Sequence, residues 1–356
     1  MIYKFNFIKS RYIEAYDFYK ESQYLKNIKN KIDKYPYEWK IIKKIIHEYE
    51  YVYTSPNKSK NINNYLPISR SYFKLTEIIN KHNIILKDKI NCFAMAEAPG
   101  GFIESLLERE ENIDKIYATT LISDNKKVPY WNNKIKNNKK VSLLYGSKNN
   151  GDLIDIINIL SFKKELKQSI FFVTADGGFD CTENYNDQEK NSLPLIYCEI
   201  FLALNVQCKG GIFVCKIFDI FLKETIKIIY VLFLSYDKVY LHKPLTSRKS
   251  NSEKYIVCIG YKGYNKEIIN NFIRSFSDFN LNMKIEENFL EQLKYFNKKY
   301  VEDQIKQINL GIQLIQTNKL NNKPTENQIT KAYNWCLNNN IPINNNCYYL
   351  NGTVTR

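Results

Sequence analysis

The sequence is poor in the residues that metals, disulfides and membranes require. Its three histidines (His47, His82, His242) lie far apart, and its eight cysteines (Cys92, Cys181, Cys198, Cys208, Cys215, Cys258, Cys336, Cys347) form no Cys-x-x-Cys pair. The ligand spacings of a zinc site are therefore missing, and no metal centre is expected. Most of the cysteines sit in apolar runs and read as reduced, buried thiols. No run of about 18 apolar residues occurs, and the opening MIYKFNFIKSRYIE is charged too early for a signal-peptide core. These absences predict a soluble intracellular protein with no membrane association. Gly-x-Gly-x-x-Gly and Walker-type phosphate loops are also absent, as is any internal repeat.

What is present is positive charge. The 356 residues carry a formal net charge of +15, which favours a polyanionic partner, nucleic acid ahead of a membrane surface. Helical periodicity in Tyr12, Ala15, Tyr16 and Phe18, and again in Trp39, Ile41, Ile42, Ile45 and Ile46, predicts two amphipathic helices on either side of Pro36. After the polar SPNKSKNINNYLP, a third helix is expected in ISRSYFKLTEIINKH, with Ser69 as its N-cap and Arg70 and Lys74 on one face.

Asn91 to Leu107, NCFAMAEAPGGFIESLL, reads as a strand, a Pro-Gly-Gly turn and a helix. Gly100 and Gly101 fall where a backbone must approach a ligand closely. Further strands are expected at 115–120, 141–146, 170–175, 210–216, 238–242 and 255–260, alternating with helices, one of them opened by Gly151-Asp152 at Leu153. That alternation predicts an α/β, doubly wound, mostly parallel Rossmann-like sheet at 61–263, with a helical N-terminal addition (1–60) and a helical C-terminal addition (264–356). The Asn-rich end reads as frayed.

Four charged residues mark the edge where such a sheet presents chemistry. Asp176 ends one strand, Lys216 ends the next, Glu253 precedes the last, and Lys74 lies on the helix before the first. Two lysines and two carboxylates suit activation of a weakly acidic hydroxyl. A lysine beside a second ammonium gives up its proton more readily and can act as general base, while the carboxylates hold the ammonium groups in place.

These residues resemble the FtsJ-like family of S-adenosylmethionine-dependent ribose 2′-O-methyltransferases, in particular its eukaryotic and viral branch acting on messenger RNA caps. SRSYFKL resembles the first lysine motif, EAPGGF the adenosylmethionine loop and TADGGFD the catalytic aspartate motif. GGIFVCKIFDIF and KPLTSRKSNSEKYIVCIGYKG resemble the second lysine and glutamate motifs. The resemblance implies a catalytic tetrad of Lys74, Asp176, Lys216 and Glu253. It implies an S-adenosyl-L-methionine site at Glu97, Ala98, Pro99, Gly100, Gly101, Phe102, Gly151, Asp152 and Asp176, and RNA contacts from Arg70, Ser247, Arg248 and Asn251.

The implied activity is methylation of the first transcribed nucleotide of capped messenger RNA, with the capping or transcription machinery as protein partners. The alternatives are a ribosomal or transfer RNA 2′-O-methyltransferase, and a noncatalytic RNA-binding subunit on the same scaffold. Glu97 departs from the family's usual alanine; it either meets the ligand's positive end or is neutral. The second strand ends in Thr119-Thr120 instead of an acid, with Asp124 beyond. Among many tyrosines, Tyr130 and Trp131 are one candidate pair for stacking on a cap base. The Asn/Lys/Ile-rich composition suits an AT-rich genome such as that of a large DNA virus, hence cytoplasm, viral factory or virion, with the nucleus as the alternative.

Overall fold

Apolar runs of six to eight residues, each followed by a turn and a helix, have one way to bury both faces: pairing side by side under helices. In the computed structural model, which describes residues 1–86, 89–178, 185–320 and 323–351, they pair into one sheet. Phe179, Asp180 and Cys181 of the aspartate-motif region, and the last five residues, 352–356, of the end expected to fray, lie outside the described residues. The strands, in chain order, are β1 (Ile2–Lys4), β2 (Tyr12–Ile13), β3 (Ile90–Met95), β4 (Ile113–Thr119), β5 (Val141–Leu143), β6 (Ile170–Ala175), β7 (Gln207–Ile217), β8 (Tyr236–His242), β9 (Lys254–Tyr261) and β10 (Ile285–Glu286). Eight of them form the order β1-β8-β9-β7-β6-β3-β4-β5, while β2 and β10 pair separately.

Strands β3 to β7 run parallel, and β9, β8 and β1 continue the sheet antiparallel. This is the doubly wound architecture expected, with all seven anticipated strands in place. The helix Gln188–Val206 is apolar nearly all round and buried accordingly.

The chain divides into two compact units, neither continuous in sequence. The first comprises Met1–Ser22, Ile85–Lys243 and Glu253–Lys298; the second comprises Gln23–Ile84, Pro244–Ser252 and Lys299–Arg356. They do not follow the expected boundaries at 60 and 263. The reason is that the helix Ser71–Lys81, assigned to the sheet domain, shares a core with the C-terminal helices: Phe73 meets the Trp335 ring at 5.7 Å, among Val52, Tyr72, Ala332 and Cys336.

Local corrections follow from the same packing. Tyr12 to Phe18 do not form a helix; β1 joins the sheet edge instead, Phe5 stacks on Phe289 at 4.9 Å, and the Phe18 amide bonds to Phe221 O. The first helix is Tyr19–Lys29, and Pro36 opens the second, Pro36–Ile45, at a position where no amide hydrogen is needed. Arg70, and not Ser69, stands at the N-cap of Ser71–Lys81, and the helix expected at Leu153 starts at Ile156 with Asp155 as its cap. Of the seven described cysteines, all are free and six are buried.

Within the second unit, Gly311 of the helix Glu287–Gln316 lies so close to Trp39 that a Cβ would meet Cζ3 at 2.6 Å. Trp335 Nε1 donates to Glu77 Oε2 at 2.9 Å, and Glu77 Oε1 also accepts from the Leu245 amide at 2.7 Å. Trp335 thus fills the core and fixes the carboxylate that holds the 244–252 segment. Trp335→Ala is expected to destabilise the protein by about 3–5 kcal/mol, measured by urea unfolding.

Candidate active site

The sheet order fixes where a ligand can enter. From β3 the chain winds outward through β4 and β5, then returns to place β6 on the other side of β3 and winds through β7. The carboxyl ends of β3 and β6 are thus the switch point, where the connections diverge and leave a crevice. Met95 and Ala175 pair there. The residues just beyond are Ala96-Glu97 and Asp176-Gly177.

Lys216, near the end of β7, is mostly buried. Its Nζ donates to Asp176 O at 2.5 Å and stands 3.4 Å from Asp176 Oδ1. Tyr255, opposite Lys216 on β9, donates its hydroxyl to the same Oδ1 at 2.9 Å. Burial lowers the Lys216 pKa, but Asp176, Glu253 and Glu199 outweigh it and leave the ammonium above its ordinary range. The lowering expected from a neighbouring ammonium is therefore not the balance that these groups produce: three carboxylates hold the proton on. Lys243 Nζ donates to Glu253 O at 2.6 Å. The first unit thus brings Asp176, Lys216 and Glu253 together, and Lys74, half-buried on Ser71–Lys81, belongs to the second.

Glu97 answers the question posed by its place in the loop. Its Oε1 accepts the Phe102 amide at 2.7 Å and so caps the helix Gly101–Leu107, while its Oε2 is buried without a partner. Burial first, then Asp176, pushes its carboxyl well above the usual range, so the resting group is neutral. Thr119 Oγ1, at the end of β4, is likewise buried and unpartnered. Gly151 (φ +66°) lies directly on Thr120 O, inside the reach of any Cβ. Asp152 Oδ1 accepts the Ile154 amide at 2.9 Å in a turn ahead of the next helix. Asp124 is exposed on the loop beyond.

Gly100 has φ +114°, and a Cβ there would meet Ile135 Cγ1 at 2.5 Å. This close packing by itself demands a glycine there. Pro99 O accepts the Asn132 amide at 3.1 Å, and Phe102 is buried 5.8 Å from the Tyr255 ring. Ala98 is half-buried beside them, and Gly101 begins the helix.

The residues expected to meet RNA lie in the second unit and are engaged by a carboxylate that the sequence reading did not single out. Glu50 is 1% exposed. It receives Arg248 through Nε (3.2 Å) and Nη2 (2.9 and 3.0 Å), and Arg70 Nη1 at 3.3 Å. Arg70 also donates to Tyr53 O at 2.6 Å and Thr246 O at 3.3 Å. Ser247 is buried, and the Asn251 amide closes a turn on Arg248 O. The two guanidiniums against one carboxylate leave one net positive charge, partly open to solvent. Trp131 is buried in the first unit, so it offers no face to a base, whereas Tyr130 is exposed. Glu199 and Tyr255 were also missed; the one signal for Glu199 was a lone carboxylate in the apolar stretch SLPLIYCEIFLALNV.

A switch-point crevice with a lysine–aspartate pair defines the class. The chain belongs to the FtsJ-like methyltransferase family, whose model matches residues 67–261, more than half of the chain. Among similar proteins, cap-specific mRNA (nucleoside-2′-O-)-methyltransferase 1A of Caenorhabditis briggsae is 42% identical over 128 residues, covering 35% of this chain and 14% of its own. Cap-specific mRNA (nucleoside-2′-O-)-methyltransferase 1 of Mus musculus is 36% identical over 174 residues, covering 46% and 20%. An inactive cap-specific mRNA (nucleoside-2′-O-)-methyltransferase 1B of C. briggsae is 39% identical over 123 residues, covering 33% and 14%. The chain spans no more than a fifth of the length of these relatives.

Glu50→Ala strands two guanidiniums without their counter-charge. It is expected to cost about 2–4 kcal/mol, below the range for fully buried pairs because both arginines keep some solvent contact. Thermal unfolding of the variant against the parent measures this.

Proposed function

We propose that the chain is a cap-specific mRNA (nucleoside-2′-O-)-methyltransferase, acting on the ribose 2′-hydroxyl of the first transcribed nucleotide of capped RNA. The observation that carries this is the Lys216–Asp176 pair at the switch point of an FtsJ-like sheet; the names of the similar proteins supply the cap. Family membership implies S-adenosylmethionine as the methyl donor. The residues fit it: Glu97 Oε2 and Thr119 Oγ1 are buried polar atoms in want of partners, and a zwitterionic nucleoside would provide them. Glu97, Phe102, Gly151, Asp152 and Asp176 would hold it. When bound, it supplies an electrophilic methyl group on a cationic sulfur.

The chain's own residues deal with the hydroxyl. Lys216 Nζ is the group placed to receive the 2′-hydroxyl proton, once it has given up the one that the surrounding carboxylates hold on it. Asp176 fixes the Nζ position through both its backbone and its side-chain oxygen, and Tyr255 fixes Asp176. The fourth residue that the family resemblance implies is Lys74. Arg70 and Arg248, set against Glu50, would meet RNA phosphates and contribute a salt-dependent part of the affinity.

The noncatalytic reading has one observation on its side. A relative named as inactive is as similar to this chain as those named as enzymes, so identity by itself does not separate the two. Transfer of labelled methyl from S-adenosylmethionine to short RNAs bearing an N7-methylated cap, an unmethylated cap or a triphosphate decides between them. Product on capped RNA alone is expected, falling about 10²–10⁴-fold in Lys216→Ala with cofactor binding retained. Label on all three RNAs would give a broader RNA 2′-O-methyltransferase, and none, despite RNA binding, the noncatalytic subunit.

A further inference from the structure

The helix Gln188–Val206 carries two buried carboxylates, and their partners differ. Glu189 Oε1 accepts the amides of Phe221 and Leu222 at 2.8 and 2.9 Å and so holds the entry to the helix Lys223–Ser235. It has a structural task. Glu199 is wholly buried and holds no helix entry: among the described residues its Oε2 is met at 3.7 Å by the Cys215 thiol, while its Oε1 lies against Gly177, whose amide favours the ionised carboxylate.

What Glu199 packs against is the turn that carries Asp176. A Cβ on Gly177 would collide with Glu199 Oε1, would meet Leu195 Cδ2 at 2.7 Å, and would reach Ala96 Cβ at 3.0 Å. A Cβ on Gly178 would meet Lys216 Cε at 3.2 Å and Nζ at 3.3 Å. Gly177 and Gly178 thus let two side chains approach one turn, Lys216 at one glycine and Glu199 at the other. Such placement of a carboxyl group costs solvation energy.

We infer that Glu199 is a positioning residue for Lys216, a group behind the Asp176–Gly177 turn that, once ionised, supplies a counter-charge and holds the ammonium in place. This rests on the methyltransferase reading for its meaning, though not for its test. The charged and titratable groups around Glu199 are Lys216 and Cys215 on β7, Asp176 after β6, Glu97 after β3 and Cys198 on its own helix, and around Lys216 stand also Glu253, before β9, and Tyr255 on it. Burial pushes the Glu199 carboxyl up to about 8, with Lys216 and the Cys215 thiol opposing that rise. Lys216 is held above its ordinary range. As pH rises, Glu199 therefore ionises before Lys216 loses its proton, and its negative charge delays that loss. Removing the charge makes Lys216 titrate at lower pH.

The test is competitive trace acetylation of the full-length protein across a pH series, with the Lys216 peptide quantified by mass spectrometry. It needs neither cofactor nor RNA. Glu199→Gln, and Glu199→Met as a second charge-removing variant should the first not accumulate folded, are expected to move the Lys216 midpoint down by about one pH unit. Glu199→Asp is expected to restore most of the shift. With capped RNA as substrate, the acid limb of kcat moves in the same direction while the KM for S-adenosylmethionine stays within about twofold. A Lys216 midpoint unchanged in whichever folded variant lacks the charge overturns the inference. Absence of methyl transfer by the parent protein overturns the proposed function instead, and leaves the acetylation result to decide the role of Glu199.

Discussion

A buried ammonium needs a counter-charge, and this structure is arranged around supplying one. Lys216 stands at the end of a strand covered on both faces, where an unpaired cation would be intolerable. Its proton is held by Asp176 and Glu199, from the connection between β6 and β7, and by Glu253, from that between β8 and β9. Those connections reach one place because β6 and β9 pair with β7 on its two sides. Topology and electrostatics are in this sense one constraint: the switch point makes the crevice, and the crevice's low polarity makes each charge in it depend on the others.

The same logic is repeated in the second unit with different partners. Glu50 sits nearly out of solvent and engages both Arg70 and Arg248, while Glu77 gathers two amides of the 244–252 segment and the Trp335 indole. A segment of nine residues with little core of its own is thereby held by carboxylates from helical parts of the chain. The N- and C-terminal additions are accordingly not appendages: they build the environment in which the arginines are presented. Their fold depends on Trp335 and Gly311 at close helix contacts.

Most of the architecture was legible in the sequence because it rests on local patterns. IFFVTA and the other apolar runs declare covered parallel strands, and the residue ending each run declares the catalytic edge; Asp176 and Lys216 were found this way. The N-terminal stretch misled because an aromatic every third or fourth residue looks helical, whereas Phe5 and Phe18 are placed by tertiary contacts with Phe289 and Phe221. At Gly100 nothing in the sequence pointed to Ile135, which fills the space that a Cβ would take.

Sequence by itself determined most of the order of elements and the chemistry-bearing residues at strand ends, since these follow from periodicity and short-range turn chemistry, while the family was carried by the resemblance of its motifs. Tertiary structure alone decided what those residues experience. Whether Lys216 keeps or loses its proton depends on Glu199, seventeen residues away on a different element, and whether Arg248 is free depends on Glu50 at the far end of the chain. Such pairings have no local signature, because burial and Coulomb energy are set by distance in space and not by separation along the chain.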